Sequence, residues 1–327
     1  MRSSRHQNEI PLVACLGEVL IDFIAEHSGP LNSISSFRKL PGGAPANVAV
    51  GIARLGIACG FIGKISSDAF GAFLFKTLEQ NGVWIDGIIR TTEAPTALAF
   101  VNRTDTGDRE FLFYRDTCAD ILLTEDDLPI EWLQNIKFLH VGGVSLTRNP
   151  SRRATIKAAA LASQHGATVT FDPNIRLDLW NNDIEECRLV LNQVLTNTDI
   201  FLPSQEELLL LTGKENLEEA VEDVHRIGPR IICVKQGAKG SFISSQQSLS
   251  KYHQFNQAAF NVDVVDTTGA GDGFDAGLIV GLVTGLSLSE AVLNATAVAS
   301  LVISKLGAMT ALPSKKELDL FHQKFTN

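Results

Sequence analysis

Short apolar runs alternate with amphipathic helical patterns along most of this 327-residue chain, and that alternation limits its possible folds more than any other feature. Leu12 to Leu16, Cys59 to Ile62, Phe138 to Val141, Thr168 to Phe171, Ile200 to Leu202 and Ile231 to Lys235 read as short buried strands. Between and beside them, Ala46 to Leu55, Ala69 to Asn81, Arg152 to His165, Ile184 to Leu195, Gln205 to Leu211 and Leu217 to Ile227 carry helical periodicity. Strands that are apolar on both faces and joined by helices belong in a parallel sheet covered on both sides. The expected fold class is α/β, with three layers around a mainly parallel central sheet. No linker, repeat or low-complexity tract interrupts the pattern, so residues 1–327 read as one domain.

Two stretches break the alternation. Val19 to Ala25 reads as a strand, and so do Ala97 to Asn102 and Glu110 to Tyr114, joined by the hairpin-like connection Arg103-Thr104-Asp105-Thr106-Gly107-Asp108. These strands, from about residues 19–26 and 96–115, have no helix partners. They are expected to form a small sheet projecting as a lid, the alternative being an edge extension of the main sheet.

A net charge of −9 gives no reason to expect nucleic acid or an anionic membrane as partner, so an anionic substrate must be met by local positive charge. The five cysteines are odd in number and scattered, with no C-x-x-C, as suits reduced thiols in a cytoplasmic protein. Met1 to Pro11 is polar and lacks the apolar stretch of a signal peptide. The longest mostly apolar stretch, Val262 to Leu288, is broken by Asp263, Asp266, Asp272 and Asp275, so no membrane span is expected.

The chemistry concentrates in Asp266-Thr267-Thr268-Gly269-Ala270-Gly271-Asp272. This heptad follows the apolar run Phe260 to Val265, read as a strand, and opens a long small-residue helix, Gly273 to Leu286. A Gly-rich turn entering a helix aims free backbone N–H groups at one point and so forms an anion site. Asp272 sits inside that turn, either as a general base beside a bound phosphate or as a first-turn acid serving the helix dipole. The spacing is not G-x-G-x-x-G, because Phe274 holds the third position, and no G-x-x-x-x-G-K-[ST] occurs. A phosphate cradle with a carboxylate beside it points to phosphoryl transfer.

With a second motif, Pro41-Gly42-Gly43-Ala44-Pro45-Ala46-Asn47-Val48-Ala49, the chain resembles the ribokinase-like (PfkB) carbohydrate kinases over nearly its whole length. Several segments look like fructokinases: Gly17 to Asp22, Arg109 to Arg115, and Asp172-Pro173-Asn174-Ile175-Arg176. The last, continued to Leu179-Trp180, is also similar to 2-keto-3-deoxygluconate kinases. The resemblance implies a ribokinase-like domain that uses ATP and Mg²⁺, with Asp272 as base and the N–H groups of Gly269, Ala270 and Gly271 holding phosphoryl charge. Asp22, Gly42, Gly43 and Asn47 match sugar-contacting positions, although Asp22 alone would pass for a strand-end cap. Phe100 and Phe113 on the lid strands would close over the sugar or simply be core. Arg176 is the expected cation at the phosphates, with a surface ion pair as its alternative, and Arg115 a further one at the substrate.

Lys235-Gln236-Gly237-Ala238-Lys239-Gly240 resembles the loop beside the nucleotide, implying contacts from Lys235, Gly237, Lys239 and Gly240; from the residues alone it could equally be a hairpin turn. The family's N-x-x-E appears as Ser204-Gln205-Glu206-Glu207, with Ser204 toward ATP and Glu207 in the outer shell of Mg²⁺. Asp266, Thr268, Val302, Lys305 and Gly307 match a K⁺ site in relatives, although Ala311 stands where some have a liganding serine. The expected function is an ATP-dependent fructokinase acting on the 6-hydroxyl, paired through its lid as a homodimer. The alternatives are a 2-keto-3-deoxygluconate kinase and a catalytically silent scaffold.

Overall fold

A computed structural model describes residues 9–103, 109–248 and 251–325. The expected connection over residues 104–108 and the polar stretch 1–8 lie outside the described residues. In chain order the strands are β1 Val13–Leu16, β2 Leu20–Ala25, β3 Phe37–Gly42, β4 Cys59–Ser66, β5 Ile88–Thr91, β6 Leu98–Arg103, β7 Arg109–Tyr114, β8 Phe138–Gly142, β9 Thr168–Asp172, β10 Ile200–Phe201, β11 Ile231–Lys235, β12 Ser241–Ser248 and β13 Lys251–Gln257. The α-helices are α1 Ala44–Arg54, α2 Ala69–Gln80, α3 Ile130–Asn135, α4 Ser151–Gln164, α5 Ile184–Leu195, α6 Gln205–Thr212, α7 Leu217–Ile227, α8 Ala270–Val283, α9 Leu288–Ile303 and α10 Lys315–Phe325.

Nine strands form the central sheet in the order β13-β12-β11-β10-β9-β8-β1-β4-β5. The run from β11 to β5 is parallel, and β12 and β13 are added antiparallel. Side chains alternate across it: Ala14 and Leu16 of β1 join one buried cluster with α4, α5 and α7, while Val13 and Cys15 join another with α1, α2, α8 and α9. Burial on both faces explains why these strands are apolar throughout.

The strand order reverses between β1 and β8, where the chain has moved outward through β4 and β5 and returned. Open α/β sheets bind ligands beyond the strand ends at such a switch point. Gly17 follows β1 and Gly142 ends β8, and an added Cβ at either would approach the Pro45 ring to 2.5 or 2.6 Å. The first turn of α1 therefore sits directly over the switch point.

The lid is a four-stranded sheet ordered β3-β2-β6-β7. Three of its strands were legible, but β3 was not, because Arg38, Lys39 and Pro41 disguise it. An edge strand tolerates both charge and proline, since one side of its backbone pairs with nothing. The expected strand Phe260 to Val265 does not form. That segment is irregular, and the N–H groups of Val265 and Asp266 both donate to the Ile303 carbonyl at the end of α9.

Asp68 joins lid to core. One carboxylate oxygen caps α2 through Gly71 N–H at 2.7 Å, and the two together accept from Thr96 N–H and Oγ1 at 2.8 and 2.7 Å. Burial, the largest single influence, raises its carboxyl, but these bonds together outweigh it and hold the group below the usual range. Replacing Asp68 by Ala is expected to lower the unfolding free energy by about 1–2 kcal/mol, measured by urea denaturation at neutral pH. The difference from wild type should shrink as pH falls and Asp68 protonates.

Candidate active site

The two Gly-rich motifs meet across the switch point. Gly43, at φ +102°, turns the chain from β3 into α1, and an added Cβ there would lie 2.5 Å from the Glu18 carbonyl. The buried start of α1 is capped when Ala44 N–H donates to Glu18 Oε1 at 3.1 Å, and Pro45 has no N–H to satisfy. One turn on, Asn47 Nδ2 donates to Asp272 Oδ2 at 2.7 Å. Asp272 lies in the first turn of α8, which opens at Gly269 with φ +77°. That left-handed conformation favours glycine, and an added Cβ would also strike Ala308 at 2.7 Å. The turn presents the N–H groups of a helix start beside the carboxylate, that of Ala270 also donating to the Thr267 carbonyl at 3.3 Å.

These groups line a cavity of about 890 Å³. At one end stand Glu18, Asp22, Gly43, Asn47, Phe113 and Asp272. Toward the other stand Arg176, Gly237, Gly240 and the irregular wall Phe260, Val262 and Val264. Burial pushes Asp272 up to about 6, with the Asn47 hydrogen bond and the charges of Lys235 and Arg176 opposing and Asp172 adding to the rise. Asp22 is pushed to about 7 by burial and by the charge of Asp272. A pocket with two carboxylates near each other and a cradle of N–H groups can bind a polyol and take a proton from one hydroxyl while anionic oxygens rest on the helix start.

Several expected residues act differently from the reading of the sequence. Gly42 supports the site indirectly, since an added Cβ would lie 2.0 Å from Asp22 Oδ2; its hydrogen is what leaves room for that carboxylate. Phe100 and Phe113 point to opposite faces of the lid. Phe113 pairs with Ala99, shares its face with Leu20 and lines the cavity. Phe100 is one residue out of phase and stacks on Phe23 at 5.0 Å on the other face, so it does not reach the sugar end.

Arg115 is also removed from the cavity. It is buried against Asp120 and donates to Thr147 Oγ1 at 2.8 Å. Lys239 is exposed and does not line the cavity, whereas Gly237 and Gly240 do, in the turn between β11 and β12. The turn is a hairpin, and it borders the cavity.

Ser204 lines the cavity, but its hydroxyl accepts Glu207 N–H at 3.2 Å as the cap of α6. Glu207 returns the bond through Oε2 to Ser204 N–H and accepts Ile175 N–H on Oε1, both at 2.8 Å. Its carboxylate thus holds the Arg176 loop in place, and no cluster of three His, Cys, Asp or Glu fit for a metal occurs among the described residues. Lys235, expected at the nucleotide, lines the cavity and directs its ammonium to Asp172 and Asp275 at 3.0 and 3.4 Å. Arg176 does line the cavity, close enough that its charge lowers Asp272.

Asp266 braces the turn from behind: Oδ1 accepts Thr268 N–H at 3.1 Å, and Oδ2 accepts Gly307 N–H at 3.0 Å. The Val302 carbonyl accepts Lys305 N–H at 3.1 Å, and the Lys305 ammonium pairs with Glu317. Sequence reasoning did not assign Glu18, Asp172 or Asp275 to the site. The one available signal was an acid in an otherwise apolar setting, as with Asp275 inside the small-residue helix.

A model of the pfkB family carbohydrate kinases matches residues 11–315. The chain belongs to that family. Among curated proteins, this pfkB kinase is 39% identical to probable fructokinase-6, chloroplastic, of Arabidopsis thaliana, over 97% of this chain and 83% of that protein. Among solved structures it is similar to the fructokinase of Xylella fastidiosa with bound ATP (31% identity, TM-score 0.86, 96% and 99% coverage). It is equally similar to a putative ribokinase II of E. coli in complex with ATP and Mg²⁺ (31% identity, TM-score 0.87, 96% and 100% coverage).

With Asp272 serving as base in its ionised form, sugar phosphorylation by this kinase should fall as pH drops through about 6. Asn47→Ala removes a bond that favours the ionised form, so the acid limb of kcat should move to higher pH. A kcat–pH profile of the two proteins checks the shift.

Proposed function

We propose that the chain is an ATP-dependent fructokinase, transferring the γ-phosphoryl group to the 6-hydroxyl of D-fructose. The observation that carries this reading is the charge of the sugar end: Glu18, Asp22 and Asp272 face the cavity, while Arg115 is spent on Asp120. Acceptors of that kind suit the hydroxyls of a neutral sugar, and a keto acid would bring its carboxylate against them. The fructokinases among the relatives agree. Retention of both Asp272 and the glycines of the turn argues against a silent scaffold.

In the reaction the hydroxyl is oriented by Asp272, itself aimed by Asn47, and its oxygen attacks the γ-phosphorus in line. The bond from that phosphorus to the β–γ bridging oxygen breaks, ADP carries away the electron pair, and the hydroxyl proton passes late to Asp272. Charge on the transferred group rests on the N–H groups of Gly269, Ala270 and Gly271, with Arg176 alongside. Mg²⁺ carried on the nucleotide would supply neutralisation of its phosphate charge. Phe113 closes the sugar end from the lid and excludes water, so one domain with a lid carries the whole reaction.

A K⁺ at Asp266, beside the carbonyls of Thr268, Val302 and Gly307, would stiffen the turn that Asp266 already braces. The outer face of the lid carries Phe23, Phe37 and Phe100, with Leu112 and Tyr114 exposed. A second copy is the occupant this reading assigns to that face, giving a homodimer. No helix among the described residues is long and apolar enough to cross a membrane. All five thiols are free and buried, which accords with a reducing compartment such as the cytoplasm.

ADP release from MgATP with fructose, 2-keto-3-deoxygluconate, ribose and no sugar tests the assignment. Fructose should give the highest kcat/KM, and Asp272→Asn should lower kcat by about 10²–10⁴-fold. Preference for the keto acid would overturn the substrate while keeping the mechanism. Tyr114→Asp should convert a dimer to a monomer by sedimentation at micromolar concentration.

A further inference from the structure

Beneath the anion-binding turn lies a charge cluster that the reaction as written does not use. Asp172 ends β9, Lys235 ends β11, and Asp275 lies one turn beyond Asp272 on the inner side of α8. The Lys235 ammonium is 3.0 Å from Asp172 Oδ2 and 3.4 Å from Asp275 Oδ1. Asp172 is 5% exposed and Asp275 fully buried. The same ammonium lies 3.4 Å from where a side chain on Gly271 would begin, so Lys235 packs against the middle of the anion-binding turn.

The three residues come from three functional segments. Beyond Asp172 run Asn174 and Arg176, with Asn174 N–H donating to Asp172 Oδ1 at 3.1 Å. Lys235 leads into the turn holding Gly237 and Gly240. Asp275 shares the first turns of α8 with the base. Burial pushes the Asp275 carboxyl well above the ordinary range, whereas the charge of Lys235 holds that of Asp172 below it despite burial. Lys235 thus pairs most directly with Asp172, a pairing that a dry interior requires of buried charge.

We propose that Lys235 is a positioning residue for phosphoryl transfer, locking the anion-binding turn and its base to the Arg176 loop and the nucleotide-side turn. It lines the cavity wall, but its ammonium is directed to Asp172 and Asp275, and it acts through them. The inference rests on phosphoryl transfer in this cavity but not on which sugar is used. Ions and polar groups facing Asp272 are Asp22 from β2, Asn47 from α1, Asp172 and Arg176 from β9 and its loop, Lys235 from β11, and Asp275 from its own helix.

The test compares Lys235→Met, Lys235→Arg and the double variant Lys235→Met/Asp172→Asn, using the sugar that wild type turns over fastest. The single Met variant leaves Asp172 unpaired and is open to misfolding; the double variant is charge-balanced and keeps the side-chain volumes. If Lys235 positions the turn, kcat of the double variant stays at least about tenfold below wild type, with both KM values within about threefold. Lys235→Arg should recover part of the rate. The carbon-13 carboxyl titration of Asp272, read without sugar or turnover, should move up in Lys235→Met and return toward wild type in the double variant. Wild-type kcat in the double variant would overturn the proposal, because Lys235 would then only balance Asp172. Absence of turnover by wild type on every sugar would instead count against the kinase reading, and the carboxyl titration would still judge the link to Asp272.

Discussion

One hydrogen bond joins the two halves of the site, from Asn47 to Asp272 across 225 residues of sequence. It aims the carboxylate proposed as the base and ties the helix over the switch point to the Gly-rich start of α8. Its geometry exists only because Gly17 and Gly142 let Pro45 settle onto the strand ends, and because Gly43 turns the chain sharply into α1. Each of these glycines removes a clash with a specific atom. They place the donor of that bond.

Burial sets the electrostatics. Glu18, Asp22 and Asp272 all sit where water is scarce, and all are pushed toward neutrality, to about 7, 7 and 6. A base in that range can still be ionised at neutral pH and can release its proton readily afterwards. The positive side chains are distributed so that this balance survives. Arg176 and Lys235 favour the ionised form of Asp272, while Arg115 pairs with Asp120 outside the cavity lining, its charge still favouring the ionised form of Glu18. A carboxylate-bearing substrate meets opposition there, and a polyol does not.

The two motifs, the parallel strands and most helices were legible because their signals are local. Helix α5 and helix α7 begin and end where periodicity and their N-caps Asp183 and Asn216 place them. Strand β3 was hidden by charge and proline that only an edge position excuses. The run Phe260 to Val265 looked like a strand because apolar content mimics one; in the fold it finds no strand to pair with and becomes a wall of the cavity. Phe100 and Phe113 share composition and element type, and strand register alone sends them to opposite faces.

The sequence by itself determined the layered α/β architecture and the anion-binding turn with its carboxylate, because burial of alternating elements and the geometry of a Gly-rich helix start are properties of contiguous residues. Only the tertiary structure decided which charged groups face the substrate. Lys235, Arg115 and Glu207 look equally available in the chain, yet one is held by Asp172 and Asp275, one by Asp120, and one by backbone N–H groups. Partners of that kind lie tens of residues apart or are chosen among several near neighbours, and packing alone brings them within hydrogen-bonding distance.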